Sequence, residues 1–586
     1  MKERFNVVET DVLVVGSGIA GSFAAITARE AGAEVIVADR AVSGKSGASC
    51  MASGVFHHFH PDEDDIENCV KEGVLGRMYL IDQEISRKAL PETFRCLEQM
   101  KDWGVRFEHK DGKLIRVKGH GSVASRIAVL SGSGGQMMQA IGDFMVSAGI
   151  RIVNNTMITD LLTSDGLSPT RGRIVGATGF NTKTGEINIF KSKAVILCAG
   201  SWKLPYGEHV PAYQGGDGHA IALRAGAELE GLDTTRVRGV RPVYAMVGST
   251  INIIMGQGAK MTNGLGERYM AKYDPLRREQ TERWLLTAAT LKELKDSRGP
   301  IGLDMTHFTP EQFRLVRAAV PLVISKIEAA GKDITKDKLE YTVWTYPILM
   351  SGEGGAKVNE KGETSLKGLY SAGDNSNNAR SFTGALPGGA VVGSWAGENA
   401  AKYCTTAEPP EIVEDQAIRY KESIAAPLKI GEGMEYKSAW EIAAKIAGEG
   451  IGLIKEEGRL RKAGELIQQL KINELQGLAA RDLHDLAKVH TIKNFFDVAE
   501  AICRVAVLRK ESRASSLRED YPETDNINWL KNIIISRVEE DLVVRYEDLP
   551  VAKFTYKPPA EKFDQLRLFS NVTTEEEILR KATNLR

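Results

Sequence analysis

The sequence predicts an α/β protein of several domains, in which a domain built on parallel strands is interrupted by an inserted α+β domain and followed by a helical domain. Three observations support this fold class. Short β-branched runs at residues 11–16 and 34–38 flank a segment with helical periodicity, which is typical of a βαβ unit. Residues 205–350 are richer in Arg, Trp and Tyr, and the texture of the first domain returns at 366–403. Residues 413–541 have the charged faces and spacing of bundle helices.

The length of the chain agrees with this division, because 586 residues are enough for three to four domains of about 150 residues each. A Glu-Pro-Pro-Glu stretch at 408–411 marks the linker before the helical domain. The predicted boundaries are 1–204 and 356–407 for the two parts of the first domain, 205–355 for the inserted domain, 408–545 for the helical domain and 546–586 for a C-terminal tail.

Charge and hydropathy exclude several classes of protein. The chain has 76 basic and 77 acidic residues, a net charge of -1, which speaks against a nucleic-acid-binding protein. No apolar run reaches the ~18 residues that a membrane-spanning helix needs. The N-terminal residues lack the apolar core of a signal peptide. We therefore expect a cytoplasmic protein that does not itself span a membrane.

The cysteines bear on electron transfer. The chain has six, and no two of them form a C-x-x-C pair. Iron–sulfur clusters are usually held by cysteines at such short spacings. If this protein exchanges single electrons with clusters, we expect those clusters to belong to another subunit.

A dinucleotide-binding motif follows the first strand. Gly16, Gly18 and Gly21 form a G-x-G-x-x-G between the strand and the following helix. The glycines permit a tight turn, close approach of a pyrophosphate and close packing of the helix, whose N-terminus faces the phosphates. Asp39 ends the second strand, where an acid can accept hydrogen bonds from a ribose. The pattern predicts a Rossmann-like dinucleotide site.

Two later segments indicate which dinucleotide binds. Residues 195–200, Val-Ile-Leu-Cys-Ala-Gly, resemble the flavoprotein strand that ends in Ala-Thr-Gly. Residues 368–374, Gly-Leu-Tyr-Ser-Ala-Gly-Asp, resemble the G-L-[YF]-A-[AI]-G-[ED] motif, whose acid contacts the ribityl chain of FAD.

With these motifs the chain resembles the flavoprotein subunits of the succinate dehydrogenase/fumarate reductase superfamily over nearly its whole length. Further matches are Gly-Asp-Gly-His-Ala at 216–220, Gly-Glu-Arg-Tyr-Met at 266–270 and Arg-Lys-Glu-Ser-Arg at 509–513. In motif wording the chain is most similar to the adenylylsulfate reductase alpha subunit. The resemblance implies a Rossmann-like FAD-binding domain, an inserted α+β capping domain and a C-terminal helical domain.

The resemblance also implies a set of FAD-binding positions. In the first part of the chain they are Gly16, Gly18, Ile19, Ala20, Gly21, Asp39, Arg40, Ser46, Gly47, Ala48, Ser53 and Gly54. In the later segments they are Ala199, Gly200, Asp217, Gly373, Asp374, Gly389, Ala390 and Val391. A helix beginning near Gly388 is expected to direct its N-terminus at the flavin.

Several positions depart from the family pattern. Succinate and fumarate enzymes attach FAD through a histidine, but residues 45–54 contain none, which predicts non-covalent FAD. His57, His58 and His60 follow slightly later and are expected in a surface loop. An ungapped alignment places Ala288 at the proton-donating arginine of the family, and Met350 stands at a substrate-binding histidine. We therefore expect a substrate other than fumarate or adenylylsulfate.

The remaining candidates for the substrate site lie in the matched loops. An arginine cluster binds a carboxylate, phosphate or sulfonate in bidentate fashion. We expect at least one of the loop arginines, together with Arg380, to grip an anionic substrate. The candidates are Arg236, Arg238, Arg241, Tyr346, Met350, Glu353, Arg380 and His120.

Three functions are compatible with these features. The first is a catalytic subunit that moves two electrons between a small anionic substrate and FAD and exchanges electrons with a ferredoxin-like iron–sulfur subunit, in a hetero-oligomer. The second is a free-standing enzyme, similar to fumarate reductase or L-aspartate oxidase, that uses quinone or oxygen. The third is a non-catalytic FAD electron-transfer subunit.

Overall fold

The structure is a computed structural model. It describes residues 5–121, 126–204, 214–235, 239–244, 251–344, 346–350, 353–378, 384–568 and 570–572.

The first part of the chain alternates strands and helices, as the hydrophobic runs predict. Its helices are α1 (Ile19–Glu30), α2 (Gly47–Cys50), α3 (Ile66–Arg77), α4 (Gln83–Asp102) and α5 (Ser133–Ser147). Its strands are β1 (Asn6–Val15), β2 (Val35–Ala38), β3 (Val55–His58), β4 (His109–Lys110), β5 (Lys113–Leu114), β6 (Arg116–Lys118), β7 (Arg126–Val129), β8 (Arg151–Val153), β9 (Thr156–Thr163), β10 (Ile174–Asn181) and β11 (Ile187–Leu197).

The inserted region mixes short strands and helices. Its helices are α6 (Asp217–Ala225), α7 (Ile251–Gly256), α8 (Met270–Tyr273), α9 (Arg283–Lys295), α10 (Pro310–Ala319) and α11 (Pro321–Ala329). Its strands are β12 (Trp202–Lys203), β13 (Leu229–Glu230), β14 (Val240–Pro242), β15 (Lys260–Thr262), β16 (Ile301–Asp304), β17 (Leu339–Val343), β18 (Ile348–Leu349) and β19 (Gly355–Ala356).

Among its described residues, the last part of the chain contains five more α-helices. They are α12 (Ala385–Cys404), α13 (Glu414–Lys429), α14 (Tyr436–Lys445), α15 (Glu457–Asn473) and α16 (Leu483–Ala506). The strands are β20 (Leu369–Ser371), β21 (Met434–Glu435), β22 (Ile454–Lys455), β23 (Leu478–Ala479), β24 (Leu517–Arg518), β25 (Glu523–Asp525), β26 (Lys531–Val538), β27 (Asp541–Asp548) and β28 (Lys562–Asp564).

The largest sheet organises the first domain. Its strand order is β8-β2-β1-β11-β10-β9, and β20 pairs with β11. The pairs β1–β2, β1–β11, β2–β8 and β11–β20 are parallel, whereas β10 is antiparallel to both of its neighbours. The carboxyl ends of β1, β11 and β20 therefore meet at one edge, where ligands bind in open α/β sheets.

Helices α1 and α12 pack against each other on one face of this sheet. Glycines on α12 make the close approach possible: a Cβ at Gly393 would lie 2.3 Å from the carbonyl oxygen of Ala20, and one at Gly397 would lie 2.2 Å from that of Ala24. The residues of α12 nearest its start are thereby held close to the glycine-rich turn after β1.

The helical prediction for 413–541 extends too far. The helices end at Ala506, and residues 531–548 form the antiparallel pair β26–β27. The reason is local: Asn-Ile-Ile-Ile-Ser-Arg-Val and Asp-Leu-Val-Val-Arg-Tyr are rich in β-branched residues, which favour strands. The domain boundaries given above stay predictions.

A search of the helices in the described ranges finds none that is long and apolar enough to cross a bilayer.

Candidate functional site

The turn after β1 forms the floor of a large cavity. Gly16 has a φ of +98°, and a Cβ there would lie 2.5 Å from the carbonyl oxygen of Cys198 at the end of β11. A Cβ at Gly18 would lie 3.2 Å from the hydroxyl oxygen of Ser49. Glycine lets the backbone of this turn pack closely against Cys198 while its other side faces the cavity. The N-terminus of α1 follows directly. This is a cradle suited to a pyrophosphate.

Asp39 lies beside this turn, at the end of β2. Its Oδ2 accepts hydrogen bonds from the backbone N–H of Ser17 at 2.9 Å and from the Ser17 hydroxyl at 2.5 Å, and its Oδ1 accepts one from the N–H of Ala41 at 2.8 Å. These contacts fix the carboxylate at the cavity wall. Oδ1 accepts one of these bonds and has a second lone pair with which it can accept a hydrogen bond from a ribose.

The far end of the cavity is closed by the helical domain. The Arg40 guanidinium donates to Asp217 at 2.8 Å and to the Thr491 hydroxyl at 3.0 Å. Thr491 lies on α16, and His484, Ala487 and Lys488 of the same helix also line the cavity. The sequence motifs give no signal for this wall, because it comes from a helix more than 400 residues away in the chain.

The cavity has a volume of about 680 Å³ and contains most of the predicted cofactor positions. Those that line it are Gly16, Gly18, Ile19, Ala20, Asp39, Arg40, Ser46, Gly47, Ala48, Ser53, Ala199, Gly200, Asp217, Gly373 and Asp374. We call it the cofactor cavity. Its glycine cradle, helix N-terminus and acid on β2 fit a dinucleotide such as FAD.

The other five predicted cofactor positions support the wall from behind. A Cβ at Gly21 would lie 1.9 Å from the carbonyl oxygen of Gly16, and one at Gly54 would lie 3.1 Å from that of Leu130. Gly389, Ala390 and Val391 are buried on α12, where a Cβ at Gly389 would lie 3.5 Å from side-chain atoms of Ile19 and Ala20. The residues of α12 that line the cavity come earlier and are Ala385, Leu386 and Pro387. The helix accordingly begins at Ala385, three residues before the predicted start.

A second cavity, of about 240 Å³, adjoins the first. Five residues line both cavities: His57, Asn252, Arg283, Met350 and Ala385. We call this smaller space the substrate cavity, after the role that we propose for it below. Its volume lies just below the ~300–1,000 Å³ typical of ligand pockets, which limits an occupant to a small molecule.

Charged side chains surround the substrate cavity. Arg283 lies at the start of α9 and donates to the side-chain oxygen of Asn252. Arg77 and Glu353 form an ion pair across the cavity wall, with 3.3 Å between Nη1 and Oε1. Glu282, 5% exposed, precedes Arg283 and accepts a hydrogen bond of 3.2 Å from Arg277. The wall therefore presents groups that can bind an anion and groups that can hold a proton.

Three histidines line the substrate cavity and are held neutral. Burial, together with the positive charge of Arg283, lowers the pKa of His57 to about 4 and that of His120 to about 3. Burial and the Arg116 guanidinium lower the pKa of His58 to about 3. Near pH 7 these rings carry no charge, so each can offer one N–H donor and one acceptor.

The predicted substrate residues divide into three groups. Met350, Glu353 and His120 line the substrate cavity. Arg241 lies on β14 with its guanidinium 5.2 Å from the centre of the Trp344 ring, and Tyr346 packs near Gly448; neither lines either cavity. Arg236, Arg238 and Arg380 lie outside the described residues.

Sequence reasoning missed several residues that line the cavities in the structure. The expectation of a surface loop for His57 and His58 is wrong, because they lie on β3, and His58 is only 2% exposed. The pair Val55-Phe56, one β-branched and one aromatic, is the available signal for a strand. Ala288 is buried in α9 and lines neither cavity, whereas Arg283 lies five residues earlier, at the helix start. An arginine that borders both cavities thus lies on the same helix as Ala288, but on an earlier turn.

A dinucleotide cavity that adjoins a small charged cavity fits one class of protein, the FAD-dependent oxidoreductases. Comparison with known families agrees: a family model described as "FAD binding domain" matches residues 11–391, and one described as "Fumarate reductase flavoprotein C-term" matches residues 443–563. The chain therefore belongs to the family of FAD-binding flavoproteins that includes fumarate reductase and L-aspartate oxidase. The sequence-based recognition of this superfamily, of FAD and of the fold class is confirmed.

Relatives match along almost the whole chain. One subunit of the fumarate reductase (CoM/CoB) of Methanothermobacter marburgensis is 26% identical over 556 residues, 91% of this chain and 98% of the relative. L-aspartate oxidase of Vibrio cholerae is 25% identical over 538 residues, 88% of this chain and 96% of the relative.

Solved structures share the fold. A quinol fumarate reductase flavoprotein variant of E. coli is 21% identical and covers 97% of this chain and 100% of its own, with a TM-score of 0.84. Adenylylsulfate reductase of Archaeoglobus fulgidus is also 21% identical, covers 93% of this chain and 96% of its own, and has a TM-score of 0.81.

Proposed function

We propose that this chain is a catalytic flavoprotein subunit that transfers two electrons between FAD and a small anionic substrate in the substrate cavity. The observation that carries the proposal is the junction of the two cavities, whose walls share Arg283, Met350 and His57. A substrate there lies directly beside the cofactor cavity. FAD, when bound, supplies the acceptance or donation of a hydride.

The residues of the chain hold each participant in place. The backbone around Gly16 and Gly18, the Asp39 carboxylate and Arg40 would hold the dinucleotide. The start of α12 at Ala385 borders both cavities, so its N-terminal dipole favours negative charge at the junction.

Arg283 is the group we propose to bind the anion. Its guanidinium borders both cavities, and it sits at the N-terminus of α9, where the helix dipole adds to its charge. The neutral rings of His57 and His120 add hydrogen-bonding groups without adding charge. A contribution from Arg236, Arg238 or Arg380 stays a prediction.

The binding step can be tested with the FAD-loaded chain. Malonate, a small dianion, is expected to perturb the visible absorbance of the bound flavin with a saturable dependence on its concentration. Malonamide, of similar shape but uncharged, is the matched control and is expected to leave the spectrum unchanged. Equal responses to both would contradict an anion site.

We propose further that the substrate is not fumarate. Met350 presents a thioether at the junction of the two cavities, where the family resemblance leads us to expect a substrate-binding histidine. Fumarate reduction with a chemically reduced electron donor is expected to be far below the about 1 per second typical of enzymes. Turnover at that rate would show that this superfamily activity is retained.

FAD is expected to be bound without a covalent link, since residues 45–54 offer no histidine. Acid precipitation should leave the yellow flavin in the supernatant. Flavin that stays in the pellet would show that another residue attaches it.

For the electron partner we propose a ferredoxin-like iron–sulfur subunit. The six cysteines include no C-x-x-C pair, and one relative is itself named as one subunit of a fumarate reductase. Iron should be found in the natively isolated complex and be absent from this chain expressed alone. An iron-free native preparation with full activity would favour the free-standing alternative.

The relation to L-aspartate oxidase supports one second candidate, an oxidase that passes electrons to oxygen. It predicts consumption of oxygen when L-aspartate is added to the FAD-loaded chain. An oxygen electrode distinguishes the two proposals directly, because the partner-dependent enzyme consumes little oxygen alone.

A further inference from the structure

Glu282 lies in a buried cluster in which two carboxyl groups, those of Asp274 and Glu282, share the guanidinium of Arg277. Arg277 donates to Asp274 from its backbone N–H at 2.9 Å and from Nε at 3.0 Å, and it donates to Glu282 from Nη1 at 3.2 Å. The exposed fractions are 0% for Asp274, 9% for Arg277 and 5% for Glu282. Two carboxylates that share one cation in a buried site cannot both ionise at low cost.

Geometry decides which of the two keeps a proton. Asp274 accepts two hydrogen bonds from Arg277, whereas Glu282 accepts one, which is also the longest of the three. Arg277 therefore holds Asp274 more strongly than Glu282, and Glu282 is the carboxyl whose ionisation this cluster supports less. Glu282 also borders the substrate cavity, while Asp274 does not.

The other charged or titratable groups around Glu282 do not reverse this assignment. Glu72 of α3 is buried, and its charge opposes ionisation of Glu282. His120 is neutral near pH 7. The remaining groups that border the same cavity are His57, His58, Cys69, Arg77, Arg283, Glu353 and Arg513. Burial is the largest influence and raises the pKa of Glu282 to about 7, against the lowering effect of Arg277.

We propose that Glu282 is the proton-carrying carboxyl group of the substrate cavity, and that an anion binds in this cavity together with that proton. This inference rests on the proposed function, since it takes the substrate cavity as the site of the anion. A neutral carboxyl group can donate a hydrogen bond to an anion, whereas a carboxylate at the same place repels it. The site thus selects anions by its protonation state as well as by its arginine.

The test is a titration of the FAD-loaded chain with malonate at pH 6 and pH 8, followed by flavin absorbance. If ionised Glu282 excludes the anion, the Kd of the wild-type protein rises about tenfold between these pH values, as expected for one linked proton with a pKa near 7. Glu282→Gln, which is neutral at both pH values, should bind malonate with the same Kd at both.

Two further variants sharpen the result. Glu293→Gln is the matched control: Glu293 is a fully buried acid on α9 that borders neither cavity, so its variant should keep the tenfold change. Asp274→Asn removes a negative charge that opposes ionisation of Glu282, so the midpoint of the pH dependence should move to lower pH. This variant tests the proposal even if Glu282→Gln loses its cofactor.

Each outcome has a distinct meaning. If malonate does not perturb the flavin at any pH in the wild-type protein, the proposed anion site fails, and this inference fails with it. If malonate binds and Glu282→Gln keeps the wild-type pH dependence, the inference is overturned while the proposed function stands. An unmoved midpoint in Asp274→Asn would overturn the shared-proton argument in the same way.

Discussion

The walls of the two cavities are formed by different atoms: mainly backbone and small side chains in the cofactor cavity, and long side chains in the substrate cavity. The cofactor cavity is formed at its centre by backbone and small side chains, such as Gly16, Gly18 and Ala199. The substrate cavity is formed by long charged or aromatic side chains from separate segments, such as Arg77, His120 and Glu282. A backbone-built site has a strict local sequence requirement, whereas a side-chain-built site can be assembled from many different residues. The two cavities should therefore respond to substitution in different ways.

The largest effect is expected from closing the cofactor cavity at its backbone. In Gly16→Ala the new Cβ would lie 2.5 Å from the carbonyl oxygen of Cys198 at a φ of +98°. Overpacking and backbone strain together should weaken FAD binding by about 4 kcal/mol, roughly a thousandfold in Kd. Flavin content per chain after gel filtration measures the loss. Gly32→Ala is the control, because Gly32 has a φ of +92° with nothing within 4 Å of a Cβ; loss of flavin there too would show that strain, not the clash, decides.

The second effect is expected from removing the charge of Arg283 from the wall of the substrate cavity. Arg283→Ala should weaken malonate binding by about 3 kcal/mol, more than a hundredfold, because the anion loses its cation. Its flavin content should remain that of the wild type. Arg241→Ala is the matched control, since Arg241 lies against Trp344 outside both cavities. If Arg241→Ala weakens malonate binding and Arg283→Ala does not, the anion site lies elsewhere.

A third effect is the loss of stability at low pH that comes from His120 in the substrate cavity. The pKa of His120 is lowered from 6.5 to about 3 in the folded protein, so the stability from its neutral form is lost as pH falls below 6.5. Between pH 6.5 and pH 5 this loss amounts to about 2 kcal/mol. His120→Gln does not titrate and should lose correspondingly less thermal stability over the same interval. The exposed His109, changed to glutamine, serves as the control; a His120→Gln protein as acid-sensitive as the wild type would contradict the assignment.

The smallest expected effect comes from the helical wall of the cofactor cavity. Thr491→Val removes the hydrogen bond of 3.0 Å that Arg40 makes to the Thr491 hydroxyl. Loss of one such bond should weaken FAD binding by about 1 kcal/mol, roughly fivefold. Fluorescence titration of the apoprotein with FAD measures this change. The exposed Thr405→Val should bind FAD like the wild type.

These contrasts explain what the sequence could and could not predict. The G-x-G-x-x-G turn and the acid after β2 are local patterns with a fixed geometric purpose, so Gly16, Gly18 and Asp39 could be placed in advance. Glu282 gives no such signal, because its environment depends on Arg277, Asp274 and Glu72, which come together only in the fold. The wall formed by α16 escapes prediction for the same reason.

Motif matching also misplaces parts of the substrate side. Aligning without gaps on residues 297–300 directs attention to Ala288, although the helix places Arg283 at the cavities. The acidic stretch after His57 and His58 favours a surface loop, and pairing of β3 with β7 buries His58 instead. A strand of four residues shows too little periodicity to be predicted when an acidic stretch follows it directly.

The wall contributed by α16 has a consequence for how the protein is made. Residues 15–57 contribute the first part of the wall of the cofactor cavity, whereas Thr491 is translated 475 residues after Gly16. At about 5–20 residues per second, the ribosome needs roughly half a minute to a minute and a half to cover that distance. Throughout this time the glycine turn exists without its far wall, so the nascent chain holds FAD more weakly than the finished one. A chain that ends before α16 lacks this wall, so its flavin content should be lower than that of a chain that extends past α16.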